Sequence, residues 1–235
     1  MKLKTFLFSI FFPRRCEICG EIMPFLKSYC PKCGLDTKVI SETACLNCGH
    51  EKCICHTDAY TPLPHFSAVY YYEGQIKRSL LKFKFYSESY YADIFGKAMA
   101  KRIRYLYGEV DFDAVCFVPM TKKNSRKRGY NQSELLALTV AEELNLSLEP
   151  CLEKVKSSLN QKDLTAKERA ENVKDSFAIK DNADIRGKTL ILCDDIKTTG
   201  ATLKECSDVL FKAGAKDVYC LCLALTHYHI STDIF

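Results

Sequence analysis

Two adjacent carboxylates, Asp194 and Asp195, end the apolar run Thr189-Leu190-Ile191-Leu192-Cys193. Beyond them come Ile196 and Lys197, and then the hydroxyl-rich stretch Thr198-Thr199-Gly200-Ala201-Thr202. A buried strand that stops at two acids, then a loop, then a helix start is a place where several backbone N–H groups converge on one anion. Thr198, Thr199 and Thr202 add hydroxyl donors, and Gly200 lets the backbone come close to a phosphate. The carboxylates are suited to two vicinal hydroxyls, as on a ribose ring. One short segment can therefore hold a sugar and its 5-phosphate together. An N-capping loop with two solvated acids is the plainer reading, but it leaves two carboxylates at the end of an apolar strand unexplained. The Gly-Lys-Ser/Thr of a nucleotide-binding P-loop is missing.

A second segment runs Val118-Pro119-Met120-Thr121 and continues through Lys122, Lys123, Arg126, Lys127, Arg128, Gly129, Tyr130, Asn131 and Gln132. It follows another apolar strand and reads as a basic loop at the same sheet edge. Its charge suits pyrophosphate or a nucleic-acid backbone. A third segment contains Leu159, Asn160, Gln161, Leu164, Arg169, Asn172, Val173 and Phe177. It stands where a mobile hood would close over a substrate, and an ordinary surface helix fits its pattern equally well. No general base is evident among His50, His56, His65, His227 and His229. His227 and His229 follow the last strand and are read as packing or surface residues.

Eight of the 14 cysteines fall within Cys16 to Cys55: Cys16/Cys19, Cys30/Cys33, Cys45/Cys48 and Cys53/Cys55. Each CxxC turn aims two thiolates at one ion, and two turns complete a tetrahedral zinc site. Gly20, Gly34 and Gly49 follow the CxxC pairs, where a positive backbone angle is expected. The simplest pairing joins the first four cysteines and the last four. Interleaved ligands, a single zinc site, a disulfide framework, and replacement of a cysteine by His50 or His56 remain open alternatives. With all ligands closing the sites, the metal role is structural, one or two zinc ions adding folding energy to a stretch with few core residues. Of the remaining cysteines, Cys193, Cys220 and Cys222 lie in apolar runs and read as buried small hydrophobes.

The elements that must position these groups are legible from periodicity. Strands are expected at Phe66 to Tyr72, Asp113 to Pro119, Thr189 to Asp194 and Val218 to Leu225. Helices are expected at Gln75 to Phe85, Tyr91 to Tyr107, Asn131 to Leu144 and Thr202 to Lys212. Alternation of strand and helix implies an α/β fold with a central parallel sheet covered on both faces. Pro62 and Pro64 mark a break, so residues 1–60 form a zinc-ribbon-like module and 61–235 the main domain. The 235 residues carry a formal net charge of +5. Thirteen Lys/Arg against five Asp/Glu fall between Lys77 and Arg128, so the basic excess is concentrated there. Such a face suits phosphates or nucleic acid. Phe6 to Phe12 is apolar but runs into Pro13-Arg14-Arg15 without a small-residue cleavage site, so a packed helix is expected rather than a leader. No run is long enough to span a membrane. A cytoplasmic location follows from cysteine usage that favours metal over disulfides.

The segment Asp194 to Thr202 resembles the phosphoribosyl pyrophosphate (PRPP) signature of type I phosphoribosyltransferases. Together with the cysteine pairs, Arg128-Gly129-Tyr130-Asn131-Gln132 and Gln161/Arg169/Asn172/Phe177, it resembles the ComF-type competence proteins along essentially the whole chain. The resemblance implies a type I phosphoribosyltransferase fold and a part in natural transformation, beside a DNA-uptake ATPase and other competence proteins. It implies PRPP as substrate, with magnesium, and displacement of pyrophosphate at ribose C1 towards an unknown acceptor. Asp194 and Asp195 would then bind ribose hydroxyls, with Asp195 nearer the metal. Residues Thr198, Thr199, Gly200, Ala201 and Thr202 would hold the 5-phosphate, Arg128 and Lys127 the pyrophosphate, with Arg169 entering from the hood. Two features depart from the pattern: the CxC pair, and Lys197, which stands where an apolar residue is commoner and is read as facing solvent or adding charge beside the phosphate. The competing reading is a non-enzymatic protein that grips single-stranded DNA along the basic segment, with Tyr86, Tyr90, Tyr91 and Tyr130 stacking on bases. An inactive scaffold that binds only partners is the third. Packing is the preferred role for most of these tyrosines.

Overall fold

A computed structural model describes residues 15–16, 18–23, 29–57, 61–85, 90–156 and 173–227. The apolar N-terminal run, Tyr86, Arg169, His229 and most of the expected hood lie outside them. Five strands form one parallel sheet: β1 (Phe66–Tyr71), β2 (Ala114–Phe117), β3 (Ser147–Leu148), β6 (Thr189–Lys197) and β7 (Asp217–Leu225). Their order is β1-β7-β6-β2-β3. β4 (Leu152–Lys154) and β5 (Phe177–Ile179) make a small antiparallel pair that the sequence reading did not foresee.

Both sheet faces are apolar because the strands must bury side chains on each side. Val69, Val115, Phe117, Ile191, Cys193, Leu221 and Leu223 face one core. It is covered by α2 (Gly74–Phe85), α3 (Tyr91–Tyr107) and α5 (Gln132–Leu144). Phe66, Ala68, Cys116, Leu190, Leu192, Cys220 and Cys222 face the other core, with Val173 and Phe177. This face carries α6 (Ala201–Lys212). Cys193, Cys220 and Cys222 are fully buried, as small hydrophobes would be. The helices α3 and α5 approach closely at Gly96, where an added Cβ would lie 2.4 Å from the Thr139 Cβ.

The basic stretch expected as a loop is instead a short helix, α4 (Lys122–Arg128). Thr121 caps it by accepting from the Asn124 N–H, and Gly129 ends it at φ +85°. These local signals outweigh the mutual repulsion of the basic side chains.

The cysteine-rich segment is sewn onto the sheet. The Ile40 N–H donates to Val69 O and the Tyr71 N–H to Lys38 O, at 2.9 and 3.0 Å. This antiparallel bridge covers the free edge of β1, which would otherwise expose a ladder of unpaired groups. The buried Arg102 of α3 donates to the carbonyls of Ile40 and Ser41, at 3.1 and 2.9 Å. Helix α1 (Pro31–Asp36) packs within the segment. No helix among the described residues is long and apolar enough to cross a membrane.

Candidate functional site: an acidic strand end and a phosphate-type loop

The chain leaves β2 towards β3 on one side and leaves β6 towards β7 on the other. The crevice at the C-terminal ends of β2 and β6 is therefore the topological switch point, where ligands bind in open α/β sheets. Pairing with β2 ends at Phe117↔Cys193, whereas β6 continues beside β7 to Lys197↔Leu225. Asp194 and Asp195 thus lie inside β6 rather than after it, on the part that overhangs the end of β2. The loop after Lys197 turns at Gly200, which adopts φ +91° and opens α6. Asp194, Lys197, Thr198, Thr199, Gly200, Ala201 and Thr202 line one pocket.

The carboxylates are held by residues the sequence reading did not single out. Ser133 Oγ donates to Asp194 Oδ1 at 2.8 Å, and the Asp195 N–H donates to the same oxygen at 2.8 Å. Ser133 stands in the first turn of α5, whose positive N-terminal end meets the acid. Lys84, at the end of α2, pairs with Asp195 Oδ2 at 2.7 Å. Burial pushes the Asp194 carboxyl up to about 7, and the charge of Asp195 adds to this, while Ser133, the Asp195 N–H and Lys84 oppose it. Ser133 and Lys84 could be found only by their place in the fold, since neither belongs to a contiguous motif with the acids.

Arg128 lies at the end of α4 and donates to Gln132 Oε1 at 3.2 Å. Gln132 is 1% exposed, and its Nε2 has no hydrogen-bond partner among the described residues. Asn131 fixes the turn into α5 by donating to Val118 O at 3.1 Å and accepting from the Ser133 N–H. Lys127 belongs to the same helix.

Two sequence expectations need correction. Lys197 does not face solvent: it is 3% exposed, and its Nζ donates to Cys48 O at 3.3 Å, because β6 buries this position against the second cysteine cluster. Gly34 has no positive φ, because it lies inside α1, whereas Gly20 and Gly49 adopt φ +72° and +83°. Tyr90, Tyr91 and Tyr130 are engaged in packing, the role preferred for most of these tyrosines from the sequence. Tyr91 is fully buried and donates to Cys19 O, Tyr90 stacks on Tyr91, and the Tyr130 hydroxyl donates to Phe83 O. His227 stacks on Tyr71 and pairs with Glu73, in line with a packing role.

The eight cysteines form two clusters, Cys16/Cys19/Cys30/Cys33 and Cys45/Cys48/Cys53/Cys55, each with its sulfurs within 4.8 Å of one another. This is the uninterleaved pairing, with neither histidine substituting. The Sγ–Sγ separations are 3.7 Å for Cys19–Cys30 and 3.6 Å for Cys45–Cys55 and Cys45–Cys53. A tetrahedron with zinc–sulfur bonds of about 2.3 Å has edges of about 3.8 Å, so the donor sets fit zinc. Burial raises the cluster thiols; backbone N–H groups outweigh it at Cys16 and Cys45 and bring each down to about 7, whereas Cys19, Cys33, Cys48 and Cys55 stay raised.

Comparison with known proteins places this geometry. The phosphoribosyl transferase domain model matches residues 131–232, which span α5, the acids and the loop. The competence protein ComFC of Streptococcus pneumoniae is 26% identical over 224 residues, covering 87% of this chain and 96% of its own. This chain is similar to ComF-type competence proteins along most of its length, and residues 131–232 match the phosphoribosyl transferase domain. The matched stretch takes in three of the five strands of the central parallel sheet, β3, β6 and β7, and the cysteine clusters lie N-terminal to it. Competence protein F of Haemophilus influenzae is 32% identical over 108 residues, 45% of this chain and 47% of its own. The DNA utilization protein YhgH of Salmonella typhi is 26% identical over 218 residues, 89% of this chain and 90% of its own. The ComF-type likeness therefore extends through the cysteine segment as well as the sheet.

Proposed function

We propose that this protein binds PRPP, or a related ribose 5-phosphate ester, and transfers its phosphoribosyl group during DNA uptake in natural transformation. One observation carries the reading: Asp194 and the loop 198–202 line a single pocket at the switch point of the sheet. Asp194 and Asp195 hold the ribose hydroxyls, with Ser133 and Lys84 keeping the two carboxylates in place. Thr198, Thr199, Gly200, Ala201 and Thr202 hold the 5-phosphate through N–H and hydroxyl donors at the start of α6. Arg128 and Lys127 on α4, with Arg169, neutralise the leaving pyrophosphate. The acid pair suits a divalent cation, and magnesium, when bound, supplies charge neutralisation on the pyrophosphate. Zinc in the two cysteine clusters is structural. A place beside the DNA-uptake ATPase in the cytoplasm, and contact with single-stranded DNA, follow from the competence role of ComF-type relatives. Engagement of the site-side tyrosines in packing favours the ribose-phosphate reading over base stacking.

The test is calorimetry of PRPP with magnesium on wild type and on the Asp194→Asn/Asp195→Asn double variant. A loss of affinity of about 100-fold or more in the folded variant is expected. Equal affinity in both would remove the acids from the site, and no binding by wild type would overturn the ribose-phosphate reading.

A further inference from the structure

The phosphate loop and the second cysteine cluster share a wall, and Lys197 is that wall. It is the last residue of β6, immediately before the loop. Its Nζ reaches Cys48 O at 3.3 Å and lies 5.0 Å from the centre of the Phe66 ring. At the loop, a Cβ placed on Gly200 would lie 3.1 Å from Lys197 Cε and 3.4 Å from a Leu63 methyl. Gly49, next to Cys48, is pressed so closely on Phe66 that an added Cβ would lie 2.4 Å from its ring. A single buried side chain therefore reaches from the backbone of a cluster cysteine to the turning point of the phosphate loop.

The charges favour this arrangement. Four thiolates around a divalent ion carry a net charge of about −2. A buried ammonium needs such a counter-charge and a hydrogen-bond acceptor. The first cluster is placed differently. Its contacts run to α2 and α3, with Gln75 donating to Cys33 Sγ and Tyr91 to Cys19 O.

We infer that Lys197 is a positioning residue that couples metal at Cys45, Cys48, Cys53 and Cys55 to the conformation of the loop 198–202. Loading this cluster thereby sets the affinity of the loop for a 5-phosphate. The affinity part rests on the ribose-phosphate reading above; the mechanical coupling does not. Reciprocity follows: a ligand phosphate tightens metal binding at this cluster by the factor by which metal tightens phosphate.

Two measurements on the full-length, zinc-loaded chain test this. The first uses no ligand. Amide hydrogen exchange at Gly200 to Thr202 is compared in wild type, Lys197→Met and Cys53→Ser. Methionine keeps an unbranched stem and removes the ammonium, and Cys53 is an exposed ligand of the second cluster. Exchange on the order of tenfold faster is expected in both variants, with the segment 29–36 around the first cluster unchanged. Unchanged exchange at the loop in Lys197→Met overturns the coupling. The second measurement titrates ribose 5-phosphate. Affinity on the order of tenfold weaker is expected in both variants. In cobalt-substituted wild type, the sugar phosphate should shift the thiolate-to-cobalt absorption of the second site. Wild type and Lys197→Met binding ribose 5-phosphate equally overturns the inference and leaves the function reading intact. If wild type binds no ribose 5-phosphate, the function reading fails, and the ligand-free exchange still decides the coupling. Should either variant not fold, the cobalt response of the wild-type chain decides: an unmoved spectrum on binding refutes the link.

Discussion

Asp194 is a carboxyl whose surroundings favour its neutral form, and this has a definite sign in stability. Unfolded, it titrates near pH 4, while the folded chain holds it at about 7. Between these values the folded state binds more protons than the unfolded one. The contribution is therefore fully present below pH 4 and is lost as pH rises through 7. Asp194→Asn keeps an acceptor for Ser133 and removes the charge. In magnesium-free buffer it should raise stability at pH 8 by about 1–3 kcal/mol and flatten the pH dependence, as read by thermal unfolding across pH 4–8. Lys84→Met removes a cation that lowers the Asp194 carboxyl and leaves Asp195 without this partner. It should move the Asp194 midpoint further up, measured by carboxyl NMR titration, and cost about 1–3 kcal/mol in urea unfolding. The acids and the threonine loop were legible in the sequence because they are contiguous. Ser133 and Lys84 were not, since they lie 61 and 111 positions away along the chain from the acids they touch.

At the scale of elements, periodicity located four helices and four strands of the main domain, with ends differing by a residue or a few. Where it erred, short-range chemistry or long-range pairing decided. The Thr121 cap and Gly129 turn a basic run into α4, and pairing with β7 extends β6 past its acids. The small β4–β5 pair has too few residues to show a period. Contact between α3 and α5 depends on Gly96, whose role is invisible until the Thr139 methyl and Cβ are seen against it. Gly96→Ala should destabilise the chain by about 1–3 kcal/mol through overpacking, despite the better helix propensity of alanine; urea unfolding measures the sign. A stabilised variant would show that α3 and α5 can part without cost.

In the whole molecule, the cysteine segment is an integral layer rather than an appendage. Cys16, Ile18, Cys30 and Cys33 belong to the same core as Leu80, Tyr91 and Phe95. Metal analysis should find two zinc ions per chain. Cys33→Ser should lose one of them and lower the thermal midpoint by several degrees, because Cys33 is a fully buried ligand beneath α2. Loss of zinc with an unchanged midpoint would separate the cluster from the core energetically. Chelation of both metals should expose the edge of β1 as well, since the strand-like segment at Val39 covers it.

The amino-acid sequence by itself determined the parallel α/β architecture, the cysteine pairs that could hold metal, and the acid–threonine segment of the site. These are local: each is written in a run of residues whose spacing matches a strand, a helix turn, a metal knuckle or an anion loop. The tertiary structure alone decided what supports them. It brought Ser133 and Lys84 to the acids, turned Lys197 inward to Cys48, closed the cysteines as two consecutive sets of four, and set the cysteine layer against β1. The physical reason is that burial and charge pairing act between residues brought together by chain crossings, and no periodicity along the chain records which partners those crossings will meet.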